Sequence, residues 1–247
     1  MEVHAHSHTP RKKWTHYFWE FLMLFLAVTL GFFVENQREH YIENQREKKY
    51  IQSFYEDLTA DEHDLEININ FLRDQMWEAD SLEILLKGID IKQPANRVYM
   101  YLRGITRSSA GLLYPNDRTI VQLRNAGGMR LIKNKNVSDS MVGYYRTVEI
   151  IQFLSEEALI NKRALREKYI PLLNAEGFTK IIDSTNEIIN TTETLYLRKA
   201  DADIINNCLI EINRIKHING TLAIRMQRLK EKAGRIKDFI KQEYHLK

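Results

Sequence analysis

The fold of this chain is decided by residues 51–86, whose sequence is IQSFYEDLTADEHDLEININFLRDQMWEADSLEILL. Alternate steps of four and three residues from Ile51 to Leu86 meet an apolar residue at nine of eleven positions, and the same walk from Val137 to Leu172 does so again. A third walk, from Ile205 to residue 243, meets ten apolar residues in twelve. This heptad-like spacing places the apolar side chains along one face of a helix. We therefore predict an all-α fold, framed by an elongated bundle of three long amphipathic helices.

Shorter elements connect these helices. Pro94 is typical of a helix start, and residues 119–126 predict a short helix that ends at Gly127, where a positive φ is wanted. Asn136 is the expected N-cap of the next long helix. Residues 178–196 carry regularly spaced isoleucines and predict a fourth amphipathic segment, while nothing alternates with the period of a strand. The apolar faces are expected to be widened by Phe54, Phe71, Phe153 and Phe239.

An apolar block precedes the bundle. Residues 17–34, YFWEFLMLFLAVTLGFFV, are apolar on all sides, and a helix of this length spans about 27 Å, close to the hydrocarbon thickness of a bilayer. The rings of Trp14, Tyr17 and Trp19 stand at its N-terminal edge, where they favour the headgroup layer. Glu20 lies one turn inside that edge, so we expect it at the interface; an ion-handling role in an oligomer is the alternative. The block predicts a membrane-spanning helix, the alternative being a buried core helix.

The flanks of this block predict its orientation. The basic residues Arg11, Lys12 and Lys13 precede it, which favours a cytoplasmic N-terminus, although Arg38 and Arg46 follow it. No small-residue cleavage site follows, so an uncleaved signal-anchor is expected. The predicted organisation is a cytoplasmic tail (residues 1–13), a transmembrane helix (14–34), a helical stalk (35–50) and a helical-bundle domain (51–247).

The stalk contains an eight-residue duplication, in which ENQREHYI at 35–42 is followed by ENQREKKY at 43–50. Glu35 with Arg38, and Glu43 with Arg46, are spaced to form ion pairs on a solvated helix. A polar helix of this kind gains stability by pairing with another copy, so we expect a homo-oligomer or a complex with another membrane protein.

Composition excludes several classes of function. The chain has 247 residues with 36 basic and 33 acidic groups interspersed, and its net charge of +3 offers no concentrated field for nucleic acid. Cys208 is the single cysteine, and its place on an apolar helix face predicts a buried thiol. No metal, phosphate-loop or nucleophile motif is present, so we expect no cofactor and no catalysis. The N-terminal tract of His4, His6 and His8 predicts at most weak, incidental metal binding.

Two charged clusters remain as candidate sites. The first is acidic and could hold a cation, but a solvated acidic surface is favoured because its members point to different faces of a helix. It contains Asp57, Asp61, Glu62, His63, Asp64 and Glu66. The second places Arg124, Arg130 and Lys133 around a glycine turn, where they could contact an anionic ligand. A tight corner with solvated charges is the alternative for that segment.

Residues 11–47 and the motif QLRNAGGMRLIKN at 122–134 resemble an uncharacterised bacterial family of N-terminally anchored, single-pass helical membrane proteins, a domain of unknown function. The resemblance implies a bacterial inner-membrane protein, and with the predicted orientation the domain is periplasmic. It implies no activity, substrate or catalytic residue. We therefore expect a non-catalytic envelope scaffold or partner-binding protein. The alternative is a sensor of a small anion that signals through the transmembrane helix to a partner.

Overall fold

A computed structural model describes residues 13–107, 112–125 and 127–246. Its helices are α1 (Trp14–Lys87), α2 (Asn96–Ile105), α3 (Arg118–Asn125), α4 (Lys135–Tyr169), α5 (Ala175–Lys180) and α6 (Ala202–Tyr244), with a 3-10 turn at Gly128–Leu131. The described residues contain no strand, only an isolated bridge between Ile182 and Ile188. The predicted all-α fold is therefore confirmed. The tract of His4, His6 and His8 lies outside the described residues.

The chain divides into two compact units at Lys49 and Tyr50. In the first unit, the large apolar side chains of residues 14–34 are exposed, except for the half-buried Leu22. The Thr29 hydroxyl donates to the Phe25 carbonyl oxygen at 2.8 Å, which satisfies this polar group within the helix. Helix α1 is long and apolar enough near the N-terminus to cross a membrane.

The predicted anchor residues lie at the start of α1. The rings of Trp14, Tyr17 and Trp19 are exposed. The Glu20 carboxylate lies 3.1 Å from His16 Nε2, one turn earlier on the same helix. When His16 is protonated, this pair gives the carboxylate a cationic partner close to the end of the helix.

The duplicated segment forms one of its two predicted ion pairs. Arg38 lies 3.2 Å from Glu35, as predicted. Glu43 instead approaches His40 Nδ1 at 3.8 Å, and the predicted pair with Arg46 is wrong. His40 lies three residues before Glu43, and Arg46 lies three residues after it. The two side chains therefore compete for the Glu43 carboxylate. Such exposed pairs add little to stability.

In the second unit, the predicted apolar faces are buried in two clusters. One cluster joins the middle of α1 to α3, α4 and the end of α6, and the other joins the end of α1 to α2, the end of α4 and the start of α6. All eleven positions of the predicted face from Val137 to Leu172 are buried, including the polar Ser155 and Lys162. Phe153, however, is 63% exposed, because it lies about 200° around the helix from the buried Ile151. Its predicted place in the apolar face is wrong.

Ion pairs define the register of α1 against α6. Lys237 pairs with Glu62 at 2.6 Å, whereas Lys216, much earlier on α6, pairs with Glu83 at 3.0 Å, much later on α1. The two helices therefore run antiparallel. Between these pairs, the Asn219 amide donates to the Gln75 side-chain oxygen at 3.1 Å in the core.

The corner before α4 is close to the prediction. Helix α3 ends at Asn125, and Gly127 has the expected positive φ of 60°. The N-cap of α4 is Asn134 and not Asn136. The Asn134 side chain accepts hydrogen bonds from the backbone N–H groups of Asn136 and Val137, so the helix begins at Lys135, before the predicted cap.

The predicted amphipathic helix over 178–196 is wrong. Helix α5 ends at Lys180, and the chain that follows is irregular up to α6. The Asp183 carboxylate accepts hydrogen bonds from the backbone N–H groups of Thr185 and Glu187, both at 2.9 Å, and from the Thr185 hydroxyl. These bonds offer the backbone a turn in place of a helix, and Asn186 accordingly has φ of 68°. Here side-chain hydrogen bonding overrides apolar spacing.

Two members of the acidic cluster are buried, which contradicts the prediction of a solvated surface for them. Asp61 is 1% exposed and accepts hydrogen bonds from the Asn116 backbone at 2.7 Å and from the Tyr144 hydroxyl at 2.7 Å. Asp57 is also buried and accepts from the Thr119 backbone N–H at 3.1 Å. Burial raises the pKa of Asp61, and the hydrogen bonds oppose that rise. The two carboxylates thus hold residues 116–119 onto α1.

Candidate ligand-binding cavity

An apolar cavity of about 850 Å³ opens among α2, α4, α5 and the chain that enters α6. Its apolar wall contains Tyr169, Leu173 and Phe178, and Ile170 stands 63% exposed beside them. Volumes of roughly 300 to 1,000 Å³ are typical of sites for small organic ligands. The size and wall of this cavity therefore suit such a ligand.

The cavity is shaped by a clamp around Tyr99. The Tyr99 hydroxyl accepts a hydrogen bond from the Asn174 backbone N–H at 2.7 Å and donates to the Tyr196 carbonyl oxygen at 2.9 Å. A β-carbon at Gly177 would lie 3.0 Å from the Tyr99 ring, so glycine allows α5 to pack closely here. These contacts fix α5, which carries Phe178, against α2.

Three arginines line the cavity. The Arg103 guanidinium lies over the Phe178 ring, 5.6 Å from its centroid. Arg166 donates to a backbone carbonyl oxygen, and Arg198 stands beside them in the chain before α6. Within the part of the chain that the structure describes, none of the three guanidinium groups lies within 4 Å of a carboxylate. By contrast, Arg107 pairs with a glutamate at 2.6 Å. The cavity is therefore lined by three guanidinium groups that form no ion pair with an acidic side chain of the described residues.

Side chains from two other helices cap the C-terminal end of α2. Gln75 of α1 donates to the carbonyl oxygen of Gly104 at 3.0 Å and to that of Ile105 at 3.3 Å. Lys162 of α4 donates to the Arg107 carbonyl oxygen at 3.2 Å. Arg166, also of α4, donates to the Thr106 carbonyl oxygen. Cations are favoured at this end of a helix by its dipole. Arg166 thus contacts both the cavity and the end of α2.

Burial, with a smaller contribution from charge repulsion by Arg166, lowers the pKa of Lys162 to about 8. The side chain is 1% exposed and belongs to the apolar face of α4. Lys162 therefore loses its proton at a lower pH than an ordinary lysine, and its role at the α2 terminus is strongest below that pH.

A carboxylate also lies at this helix junction. Glu78 of α1 packs against Gly104 of α2, where any β-carbon would overlap its carboxyl group. Burial, with a smaller contribution from the charge of Asp74, raises the pKa of Glu78 to about 7, and Arg107 opposes the rise. The ordinary value is 4.5, so the folded protein binds this proton more tightly than the unfolded chain does.

This raised pKa predicts a pH-dependent stability. The contribution of Glu78 is fully favourable below about pH 4.5 and is lost as the pH rises through 7. We expect Glu78→Gln to raise the melting temperature above pH 7 relative to the wild type and to flatten the pH profile between about 5 and 8, measured by calorimetry. Lys162, whose pKa is about 8, affects only the upper end of this window and does so in both proteins, so it cancels in the comparison. Parallel profiles for the two proteins would contradict the assignment; Glu39→Gln, at an exposed position of α1, is the control.

The sequence-predicted contacts Arg124, Arg130 and Lys133 lie elsewhere and do not line this cavity. All three are exposed. Arg124 borders a smaller cavity of about 290 Å³, where Glu149 lies 3.9 Å from its guanidinium and Asp117 also lines the wall. Two carboxylates at that cavity make it a poorer site for an anion.

The cavity residues Arg103, Arg166 and Arg198 were not predicted from the sequence. They lie on α2, on α4 and in the irregular chain before α6, and no local motif joins them. The predicted buried thiol of Cys208 is confirmed, and burial raises its pKa to about 11. In the described residues, no group of three or more His, Cys, Asp or Glu side chains is arranged to hold a metal ion.

Comparison with protein families, with curated proteins and with solved structures gives no match to this chain. Over its described residues, the chain is an all-α protein with a helix long and apolar enough to cross a membrane. It also has a cavity whose wall is apolar and whose charged groups are arginines.

Proposed function

We propose that this chain is a non-catalytic binding protein, anchored in the bacterial inner membrane, whose domain from Tyr50 onward binds a small anionic ligand. The observation that carries this proposal is the set of three cavity arginines without carboxylate partners among the described residues. An anion that entered would form charge-assisted hydrogen bonds with guanidinium groups already held beside an apolar wall. The scaffold role favoured by the sequence alone has weaker support, and it is the second candidate below.

The membrane part of the proposal has the N-terminus in the cytoplasm and the domain in the periplasm. It is supported by the basic residues at 11–13 and by the apolar helix that follows them. The test uses a Cys208→Ser chain that carries one new cysteine, Lys241→Cys, at an exposed position of α6. We expect a membrane-impermeant thiol reagent added to spheroplasts to label this cysteine; labelling only after lysis would reverse the orientation.

Ligand occupancy has a physical route to α1. Arg166 contacts both the cavity and the C-terminal carbonyls of α2, and Gln75 holds the same terminus from α1. A bound anion would accept hydrogen bonds from the Arg166 guanidinium. It would therefore compete with the Thr106 carbonyl oxygen, at the end of α2, for the Arg166 N–H groups. We propose that occupancy is passed on in this way to α1 and, through it, to a partner in the membrane.

We expect Arg103→Gln to weaken anion binding by about 10- to 100-fold, which corresponds to the loss of one charge-assisted hydrogen bond. Arg103 is chosen because its guanidinium contacts a ring and not the backbone, so its removal spares the helix terminus. The measurement is isothermal titration with hexanoate and with inorganic phosphate on the full chain in zwitterionic nanodiscs.

Arg97→Gln is the matched control. Arg97 lies on the same helix and over a tyrosine ring, 5.7 Å from its centroid, but it does not line the cavity. The affinity of this variant is expected to equal that of the wild type. Equal losses in both variants, or no binding of any anion by the wild type, would overturn the proposed function.

The second candidate function is a scaffold that assembles with further copies of itself. It is favoured by exposed apolar residues on one face of α4, namely Val142, Phe153 and Ile160. Arg146 and Glu157 are exposed on the same helix, so it offers both charge signs to a second copy. We expect Phe153→Glu to abolish crosslinked dimers in native membranes; a wild type that crosslinks only as monomer would exclude this candidate.

A further inference from the structure

We propose that the ligand of the cavity is an anionic amphiphile, in which a hydrocarbon chain lies on the apolar wall and a carboxylate or phosphate head binds the arginines. This inference rests on the proposed function and narrows its ligand class. Two sources supply such a molecule, a free long-chain acid and a membrane phospholipid. They share the same chemistry at this site.

The first argument is the size of the cavity. Inorganic phosphate, at roughly 30 Å³ for each water-sized atom, fills on the order of 150 Å³. The cavity measures about 850 Å³, so a bare anion leaves most of it to water. Water against an apolar wall is unfavourable, whereas each methylene group that replaces it contributes roughly 0.8 kcal/mol, a three- to fourfold gain in affinity.

The second argument is the composition of the wall. Tyr169 and Leu173 are almost fully buried and Phe178 is half-buried, while Ile170 leaves an exposed apolar surface beside them. A hydrocarbon chain that lies along these residues covers both the inner wall and Ile170. A compact polar anion covers neither.

The third argument is the distribution of charge along that wall. The Arg103 guanidinium lies directly over the Phe178 ring, so a cation and an apolar surface are adjacent at one place. Arg166 and Arg198 are the other charged lining groups, and no carboxylate of the described residues lines the cavity. A molecule with one anionic end and one apolar end matches this arrangement better than a molecule with charge at both ends.

The test is a chain-length series titrated into the full chain in phosphatidylcholine nanodiscs, with empty nanodiscs subtracted. The probes are acetate, hexanoate, decanoate, inorganic phosphate and the uncharged decanol. We expect affinity to rise on the order of 100-fold from hexanoate to decanoate, and decanol to bind at least about tenfold more weakly than decanoate.

A variant pair shows whether the chain lies on the proposed wall. Ile170→Asn, which removes apolar surface without adding charge, is expected to reduce decanoate affinity by about tenfold or more and to leave acetate affinity unchanged within about a factor of two. Ile224→Asn, at a similarly exposed position outside the cavity, is the control and is expected to match the wild type. Mass spectrometry of lipids that copurify with the chain then distinguishes a free acid from a phospholipid.

Affinity that does not depend on chain length, with acetate and phosphate bound as tightly as decanoate, overturns this inference and leaves the proposed anion binding intact. Decanol that binds as tightly as decanoate overturns it as well, because the arginines then contribute nothing. If no probe binds, the proposed function itself fails.

Discussion

Replacement of Asp61 by alanine is expected to lower the free energy of unfolding by about 3 kcal/mol or more. The carboxylate is 1% exposed and accepts hydrogen bonds from the Asn116 backbone, the Asn116 side chain and the Tyr144 hydroxyl. Alanine leaves the buried Tyr144 hydroxyl and the partly buried Asn116 donors without this acceptor, and each buried group in that state costs about 1 to 3 kcal/mol. The segment that Asp61 holds also positions α3, so the loss affects one of the two cores.

The measurement is chemical denaturation of the full chain, followed by helical circular dichroism. Asp64→Ala is the control on the same helix, since its side chain forms none of these bonds, and a change within about 0.5 kcal/mol is expected. A double-mutant cycle with Tyr144→Phe sharpens the result. Removal of the hydroxyl is expected to cost less in the Asp61→Ala background than in the wild type. An effect below about 1 kcal/mol for Asp61→Ala would contradict the network.

Simultaneous replacement of Leu24 and Leu26 by arginine is expected to release the chain from the membrane. Both residues lie near the middle of the apolar segment at 17–34. Arginine at the centre of a spanning helix costs about 2.5 to 3.5 kcal/mol on insertion scales, and leucine favours insertion by several tenths. Two replacements therefore disfavour insertion by about 6 to 8 kcal/mol.

Fractionation after a carbonate wash measures this effect. The control places the same two charges just beyond the apolar segment, as Asn36→Arg with Gln37→Arg, and is expected to remain in the membrane pellet. A Leu24→Arg, Leu26→Arg chain that also stays in the pellet would show that the segment is not the anchor.

Much of the fold follows from local spacing. The predicted apolar face from Val137 to Leu172 is buried at all eleven positions. One of these positions is Lys162, which is buried as the spacing predicts, although lysine is rarely buried in proteins. Periodicity succeeds here because a long helix has one rigid repeat, so one correctly placed apolar residue places the others.

The failures have local physical causes. In the predicted helix after Phe178, the Asp183 side chain bonds the backbone into a turn, which apolar periodicity does not register. Asp57 and Asp61 were expected in solvent because their partners, at residues 116–119, are distant along the chain. A buried carboxylate cannot be recognised until its hydrogen-bond donors are known.

The sequence by itself determined the helical class, the apolar segment and the faces on which the long helices pack, because each of these depends on residues a few positions apart. Only the tertiary structure decided which arginines line a cavity. Arg103, Arg166 and Arg198 become neighbours of one cavity through the packing of α2, α4 and the chain before α6. Their proximity is a property of helix packing and not of spacing, so the predicted cluster at Arg124, Arg130 and Lys133 and the observed arginine cavity are different places.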